Sequence, residues 1–436
     1  MKDLATWESC SGHGFARITC KITGVRILWV KAGKLLPVDT GGKIRSYRIL
    51  KELERGHTVS LLSYYNGKRD LEYEAAIQAE LPGAHSICTG MPDASVVGES
   101  VYYLRRLSKS APFAVTKFAH GEVRNLVTAL LGARRFDIAV CDFLAASSNF
   151  GDGLQTPVIL FQHNVETVLW QRMASREKNP AKRLVYRIEA AKMKRYESAA
   201  LARFDHVVAV SERDQQWMLE MSPNSAISVV PTGADTPPAM PAAAEASPAK
   251  IVFTGSMDWE PNIDGVEFFC REIFPRVRNE FPQVIFQIVG RNPAAQVKRL
   301  ASASVEVTGA VASVEDYVRD ATVMVVPLRI GGGTRLKIFE AMARGKAVVS
   351  TTIGAEGLDV QNGRDLILAD DPANFAGAIC RLLRDGATRR KYEQAGVACA
   401  VQHSWTRVAK RFEDILQRTV EAWRPDYSDR PLAAAM

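Results

Sequence analysis

The sequence predicts an α/β protein of two domains, each a parallel sheet wrapped by helices, on three observations. Short apolar, β-branched runs recur along the chain; they alternate with stretches of helical periodicity; and the series occurs twice, with a proline- and alanine-rich interruption between. At 436 residues the chain exceeds one ordinary domain of roughly 100–200 residues. With 47% hydrophobic and 24% charged residues it can bury two cores and keep a charged surface.

Taken in order, residues 1–24 are polar and mixed, lack an apolar stretch long enough for a signal-peptide core, and read as a disordered extension. Val25-Arg-Ile-Leu-Trp-Val30 is the first strand, and Lys31 to Gly42 a loop ending in Gly41-Gly-Lys43. Ile44, Tyr47, Leu50 and Leu53 come next at helical spacing, with Gly56 as the stop. His57 sits in the turn into the second strand, which gives it a structural role. Strands at 138–142, 158–162 and 206–210 complete a domain over 25–235. The stretch 236–249, which opens Thr236-Pro-Pro-Ala-Met-Pro, cannot build a sheet and forms a linker. The alternation resumes with strands at 251–254, 284–289, 305–308, 323–327, 347–350 and 366–368 in a domain over 250–404. Apolar residues at helical spacing predict a helix over 405–425, with a frayed tail, 426–436, after it. Two Rossmann-like domains facing a cleft is the simplest architecture.

Composition narrows the function classes. No apolar run reaches the roughly 18–20 residues of a membrane span. Seven cysteines, at 10, 20, 88, 141, 270, 380 and 399, are scattered without metal spacing and read as reduced thiols of a cytoplasmic protein. The net charge of +8 is concentrated in a basic stretch: Arg172, Arg176, Lys178, Lys182, Arg183, Arg187, Lys192, Lys194, Arg195 and Arg203. Such a surface is either a solvated helix or a contact for anionic lipid, worth about 1 kcal/mol per well-placed cation. No aromatic interleaving accompanies it, which disfavours nucleic acid as a partner. No G-x-G-x-x-G comes after the first strand of either half, which disfavours a nicotinamide dehydrogenase.

The most informative stretch is Pro327-Leu-Arg-Ile-Gly-Gly-Gly-Thr-Arg-Leu-Lys-Ile-Phe-Glu340, a strand end, three glycines and a helix start. Gly331, Gly332 and Gly333 at a helix entrance let backbone N–H groups approach phosphate oxygens, where the helix adds partial positive charge. Thr334 opens the helix, Arg335 and Lys337 add full charges, and Glu340 lies where a carboxylate accepts hydrogen bonds from two ribose hydroxyls. A departing diphosphate gathers negative charge, so fixed cations and amides stabilise the transition state more than the ground state.

This stretch resembles the donor site of retaining GT-B glycosyltransferases, a family that includes bacterial polysaccharide transferases. Phe253-Thr-Gly-Ser-Met-Asp-Trp-Glu-Pro-Asn-Ile-Asp264, Val289-Gly-Arg-Asn-Pro293, Val207-Val-Ala-Val-Ser-Glu212 and Val229-Val-Pro-Thr-Gly-Ala-Asp235 match further family segments in the family's order, over roughly residues 25 to 420. The resemblance implies an N-terminal acceptor domain, a C-terminal nucleotide-sugar donor domain and a terminal helix that crosses back to the first domain. It implies diphosphate contacts for Arg335 and Lys337, a ribose contact for Glu340, and contacts to the β-phosphate and sugar from the backbone of 331–334. Gly41 and Gly42, which turn geometry alone would explain, become cleft residues. His163, Asn164 and Glu166 come directly after the strand 158–162 and point into the cleft, with His163 against the transferred sugar or reaction centre. Arg291 lies beside base or phosphate, and Asp258 and Asn262 line the mouth of the donor domain. One departure stands out: where many relatives carry a first glutamate that grips the sugar, this chain has Gly332.

The expectation is a cytoplasmic, retaining glycosyltransferase that moves a hexosyl unit from a nucleotide-diphosphate sugar to a glycan or lipid-linked acceptor in exopolysaccharide or cell-envelope glycan biosynthesis. The leaving diphosphate takes the acceptor proton, no cofactor or metal is expected, and a peripheral contact with the inner face of the cytoplasmic membrane is. Asp370-Asp371 lacks the form of a metal-binding Asp-x-Asp. The rival reading is a nucleotide-sugar-binding protein without transferase activity.

Overall fold

The computed structural model describes residues 24–90, 110–235, 248–330 and 336–423. The first sheet has seven parallel strands: β1 (Arg26–Ala32), β2 (Thr58–Tyr65), β3 (His85–Cys88), β4 (Ile138–Asp142), β5 (Val158–Phe161), β6 (His206–Ala209) and β7 (Ile227–Val229), in the order β3-β2-β1-β4-β5-β6-β7. The second has six: β8 (Lys250–Thr254), β9 (Ile285–Val289), β10 (Val305–Gly309), β11 (Val323–Val326), β12 (Ala347–Ser350) and β13 (Ile367–Leu368), in the order β10-β9-β8-β11-β12-β13. Both are doubly wound parallel sheets. In each, the strand order reverses beside the first strand, between β1 and β4 and between β8 and β11, and ligands bind at the carboxyl ends of strands at such a point.

Why these runs become central strands is visible in β1. Ile27 and Trp29 enter the apolar cluster on one face of the sheet, while Leu28 and Val30 enter the cluster on the other. A strand covered on both faces needs an unbroken apolar run rather than an alternating one. Four-residue β3 is different: a short, partly exposed edge strand with His85 and Ser86, whose polar composition hid it from sequence reading.

The terminal helix Trp405–Trp423 packs on the first domain. Its Val408, Phe412, Ile415, Leu416 and Val420 recur at helical spacing within the cluster that holds Ile27 and Trp29, and the Phe412 ring lies 5.5 Å from Trp29 and 5.0 Å from Phe161. Where the chain returns, Ala234 N–H donates to the His403 carbonyl at 2.7 Å. A Cβ on Gly233 would stand 2.5 Å from the Trp405 ring, so only glycine permits this crossing of segments.

The loop expected over 31–42 is shorter than predicted. Lys31 and Ala32 continue β1, and the first helix spans Gly41–Leu53, so Gly41 and Gly42 form its first turn rather than precede it. That helix ends before Gly56, which has no positive φ and is not its stop. His57 is structural: it accepts from Val25 N–H at 3.0 Å and lies 3.2 Å from Glu413 of the terminal helix. The linker from 236 to 247, residues 1–23 and the tail from 426 fall outside the described residues.

Candidate functional site

The two sheets present their switch points to one cleft of about 2070 Å³. Its first-domain wall includes Gly41, Gly42, Asp142, His163 and Asn164, and its second-domain wall includes Asp258, Asn262, Arg291, Lys337 and Glu340.

The first-domain floor is a buried polar network. Asp142, at the carboxyl end of β4 and almost wholly enclosed, accepts from Trp29 Nε1 at 2.9 Å, Lys31 Nζ at 2.9 Å, Ser46 Oγ at 2.7 Å and His163 Nε2 at 2.6 Å. On the other side of the imidazole, Arg45 Nη1 lies 3.1 Å from Nδ1, and Arg45 Nη2 reaches Thr232 Oγ1. An arginine only donates and a carboxylate only accepts, so the imidazole carries its proton on Nε2. Burial pulls His163 down to about 4, against the raising effect of Asp142, and the ring is neutral near pH 7. Burial acts to raise Asp142, but Lys31 and the hydrogen-bond donors hold it far below the ordinary carboxylate range.

His163 therefore lines the cleft with both ring nitrogens engaged by Asp142 and Arg45. It offers neither nitrogen to a sugar unless one of those bonds is given up, which departs from the contact expected of it. Glu166 departs further. It begins the helix Glu166–Arg176 and does not line the cleft; its backbone N–H donates to Glu197 Oε1 at 3.0 Å, and its carboxyl accepts from Asn164 Nδ2 at 3.3 Å. Burial and the neighbouring Glu197 raise Glu166 to about 7. Glu197 itself accepts from Gln162, Thr167 N–H and Thr167 Oγ1.

In the second domain, the helix Leu336–Ala343 buries Ile338, Phe339, Ala341 and Met342 and turns Lys337 and Glu340, three residues apart, to the cleft. Lys337 Nζ lies 3.2 Å from Asn262 Oδ1 and 4.1 Å from the centre of the Phe253 ring. Asn262 in turn donates to the Ser256 carbonyl at 2.8 Å, so it holds the lysine against the loop after β8. Burial raises Glu340, opposed by Arg344 and Lys337. Its carboxylate accepts no hydrogen bond from a described residue. Gly255 and Gly290 end β8 and β9 in contact: a Cβ on Gly290 would lie 1.7 Å from the Gly255 carbonyl oxygen, and one on Gly255 2.9 Å from Lys337 Nζ. Gly331, Gly332, Gly333, Thr334 and Arg335 lie outside the described residues.

Arg291 extends from the loop after β9 to Asp39 of the first domain and donates to Ser256 Oγ at 3.3 Å. Asp258 is engaged by Ser256 Oγ at 2.6 Å and Asn292 at 3.0 Å, a turn-stabilising role within the cleft rim. Across the walls, a Cβ on Gly41 would meet Leu336 Cδ1 at 3.2 Å, whereas one on Gly42 would meet nothing. No side chain caps the first helix, because the extended Thr40 makes no cap bond, and the residues that carry its leading N–H groups, Gly41, Gly42 and Lys43, line the cleft. A bidentate pair, Arg172 to Glu356 at 2.5 and 2.9 Å, ties the walls together beyond the cleft.

Among the described residues no group of three or more His, Cys, Asp or Glu side chains could hold a metal ion. Asp371 caps the helix Pro372–Arg384 and Asp370 accepts from Thr352. No described helix is long and apolar enough to cross a membrane. Sequence reasoning missed Lys31, Arg45, Ser46, Asp142 and Thr232. The available signal was position: Lys31 and Asp142 sit at the carboxyl ends of strands flanking a switch point.

Comparison with known proteins agrees with this architecture. The family model of Glycosyltransferase Family 4 matches residues 41–237, and that of Glycosyl transferases group 1 matches residues 248–385. A Klebsiella pneumoniae protein described as an uncharacterized 44.6 kDa protein in a cps region is 23% identical over 369 residues, 80% of this chain and 89% of that protein. The phosphatidyl-myo-inositol mannosyltransferase of Mycobacterium leprae is 28% identical over 47% of this chain and 56% of its own length. Among solved structures, sucrose-phosphate synthase from Thermosynechococcus elongatus superposes with a TM-score of 0.66 at 16% identity, covering 91% of this chain and all of that one. Anabaena HepE, solved with UDP and glucose, gives 0.60 at 14% identity over 90% of this chain and all of its own. The chain belongs to the GT-B glycosyltransferases of the group 1 kind.

Proposed function

We propose that this glycosyltransferase takes a sugar from a nucleotide-diphosphate donor and transfers it with retention to a glycan or lipid-linked acceptor, in exopolysaccharide or cell-envelope glycan assembly. The observation that carries the reading is the pairing of Lys337 and Glu340 on one cleft-facing helix, opposite the uncapped start of the Gly41–Leu53 helix. Lys337 and the leading amides of the first helix supply positive charge from both walls for a diphosphate, joined by Arg335 and the 331–334 backbone. Glu340, whose carboxylate accepts no hydrogen bond from a described residue, receives the ribose hydroxyls.

The retaining chemistry draws support from the first-domain floor. The neutral His163, occupied on both nitrogens, presents no base, and the leaving diphosphate takes the acceptor proton as the sugar departs. The protein then contributes position and charge, with Lys337 and Arg335 in the place a divalent cation would take. Asn164 and Arg291 contact substrate from the two walls. The relative from a cps region and the mannosyltransferase relative support an envelope glycan as product, and HepE supports a uridine nucleotide.

Peripheral membrane contact rests on the helix Pro180–Arg203, which exposes Arg187, Lys194 and Arg195 beside Leu184, itself 59% exposed. The basic stretch is narrower than its sequence implies: Lys182 pairs with Glu177, Lys192 with Glu189, and Arg172 with Glu356. Cosedimentation with phosphatidylglycerol vesicles at low salt tests the contact, and absence of binding there refutes it.

The test of the donor site is calorimetric titration with UDP, GDP and ADP, with and without magnesium, on the wild type and Lys337→Ala. The expected result is one nucleotide bound without need of metal and weakened by the substitution. Failure of all three to bind overturns the assignment; nucleotide-sugar binding without turnover against any acceptor selects the binding protein instead.

A further inference from the structure

We propose that the first-domain wall holds an anionic group of the acceptor, a phosphate or a carboxylate, through Lys117; this rests on the transferase reading above and specifies its acceptor. Among the described residues that wall carries five cations, Lys31, Lys34, Lys43, Arg45 and Lys117, against two carboxylates, Asp39 and Asp142. Both carboxylates are committed, Asp142 to Lys31 at 2.9 Å and Asp39 to Lys43 at 3.1 Å and to Arg291. Lys34 has its own partner in Asp70 at 2.6 Å. Lys117 has no ion pair among the described residues, and its ammonium rests 5.2 Å from the centre of the Phe118 ring. Glu166 senses its charge without forming an ion pair with it.

The lysine is held where a ligand would meet it. It closes the short helix Phe113–Thr116, and its carbonyl accepts from Asn66 Nδ2 at 3.3 Å. Asn66 also accepts from Thr89 Oγ1 at 2.7 Å, which pins this corner to the end of β2. Phe113, Phe118, Tyr65 and Phe143 line the same part of the cleft and provide flat apolar faces for a sugar ring or an alkyl chain. Closing such a wall over a neutral glycan would strip water from an ammonium and return hydroxyl acceptors but no counter-charge. An acceptor with a negative group beside its sugar ring supplies the missing charge and makes the bond charge-assisted.

The experiment uses the full chain saturated with its nucleoside diphosphate, so that the donor site is occupied, and titrates three probes by calorimetry: glucose 1-phosphate, methyl glucuronide and neutral methyl glucoside. The expected result is binding of at least one anionic probe in preference to methyl glucoside, weakened about tenfold or more in Lys117→Gln, retained in Lys117→Arg, with nucleotide affinity unchanged in both. Preference for glucose 1-phosphate assigns a phosphate-linked acceptor, and preference for methyl glucuronide an acidic glycan. Equal binding of the neutral probe, no binding of either anionic probe to the nucleotide-loaded protein, or an unaltered Lys117→Gln variant overturns the proposal. Nucleotide binding by the wild type in the same titration separates that failure from failure of the transferase reading.

Discussion

Replacing Asp142 with asparagine tests whether the first-domain floor is an electrostatic unit. The carboxylate is fully enclosed, and its Oδ2 receives Trp29, Lys31 and Ser46 while its Oδ1 receives His163. Asparagine keeps one oxygen and turns an amide NH2 to the other side. If that NH2 faces Oδ2's partners, the obligate donors Trp29 and Lys31 confront a third donor. If it faces His163, the imidazole must shift its proton to Nδ1, where it confronts the Arg45 guanidinium at 3.1 Å. Either orientation leaves a donor-to-donor contact, and both leave Lys31 buried without its counter-charge. Removing one partner of a buried ion pair costs about 3–5 kcal/mol. For a domain of roughly 150–250 residues that corresponds to a fall in Tm of roughly 6–20 °C. Urea unfolding monitored by tryptophan fluorescence measures the loss, and adding Lys31→Met to Asp142→Asn should recover at least about 1 kcal/mol, because the orphaned ammonium is gone. A loss below about 1 kcal/mol for Asp142→Asn alone would refute the argument, since it would mean that water or backbone shifts satisfy the network at little cost.

The same geometry sets further outcomes. Gly290→Ala drives a Cβ into the Gly255 carbonyl and should yield little folded protein, whereas Gly42→Ala, with open space around it, should change Tm by no more than about 2 °C; thermal melts decide both. Lys337→Ala should weaken nucleotide diphosphate binding about tenfold to a hundredfold, the worth of one charge-assisted bond, and calorimetry reads it. Glu166 is raised from 4.5 to about 7, so the folded state prefers its protonated form and stability falls as pH rises through that window. Glu166→Gln mimics the protonated form and should gain up to about 3 kcal/mol over the wild type at pH 8, a gain that shrinks toward zero at pH 4.5 in urea titrations. Arg172→Ala should loosen the two walls, detectable as a larger radius of gyration in solution scattering.

How much was legible depended on how far apart in the chain the cooperating residues lie. The central strands were readable because each is a local apolar run bounded by turns, with errors at the ends, as where β1 extends through Ala32 or the first helix absorbs Gly41 and Gly42; the polar edge strand β3 has no such run and was missed. The expectation of a donor site came from one continuous run of sequence, glycines, cations and a carboxylate between 327 and 340, of which Lys337 and Glu340 are seen on the cleft-facing helix. The floor of the other wall is assembled from five separate places, Lys31, Arg45 with Ser46, Asp142, His163 and Thr232, with the members of one ion pair 111 positions apart and the ends of one hydrogen bond 187 positions apart. No periodicity or spacing rule connects positions at such distances. Only the topology does, by setting β4 between β1 and β5 so that three strand ends converge.

That difference in assembly has a functional consequence. If the donor site is the local unit proposed above, it can be altered residue by residue, and its variants should register chiefly in nucleotide affinity. The first-domain floor joins β1, β4, the loop after β5 and the first helix through shared buried hydrogen bonds, so under the proposed function, in which the uncapped start of that helix meets the diphosphate, its variants should register in stability and in donor affinity together. Asp142→Asn is then expected to weaken nucleotide binding although no second-domain residue changes, and measured without loss of folded protein, that coupling would identify the first helix as the element through which one wall reports to the other.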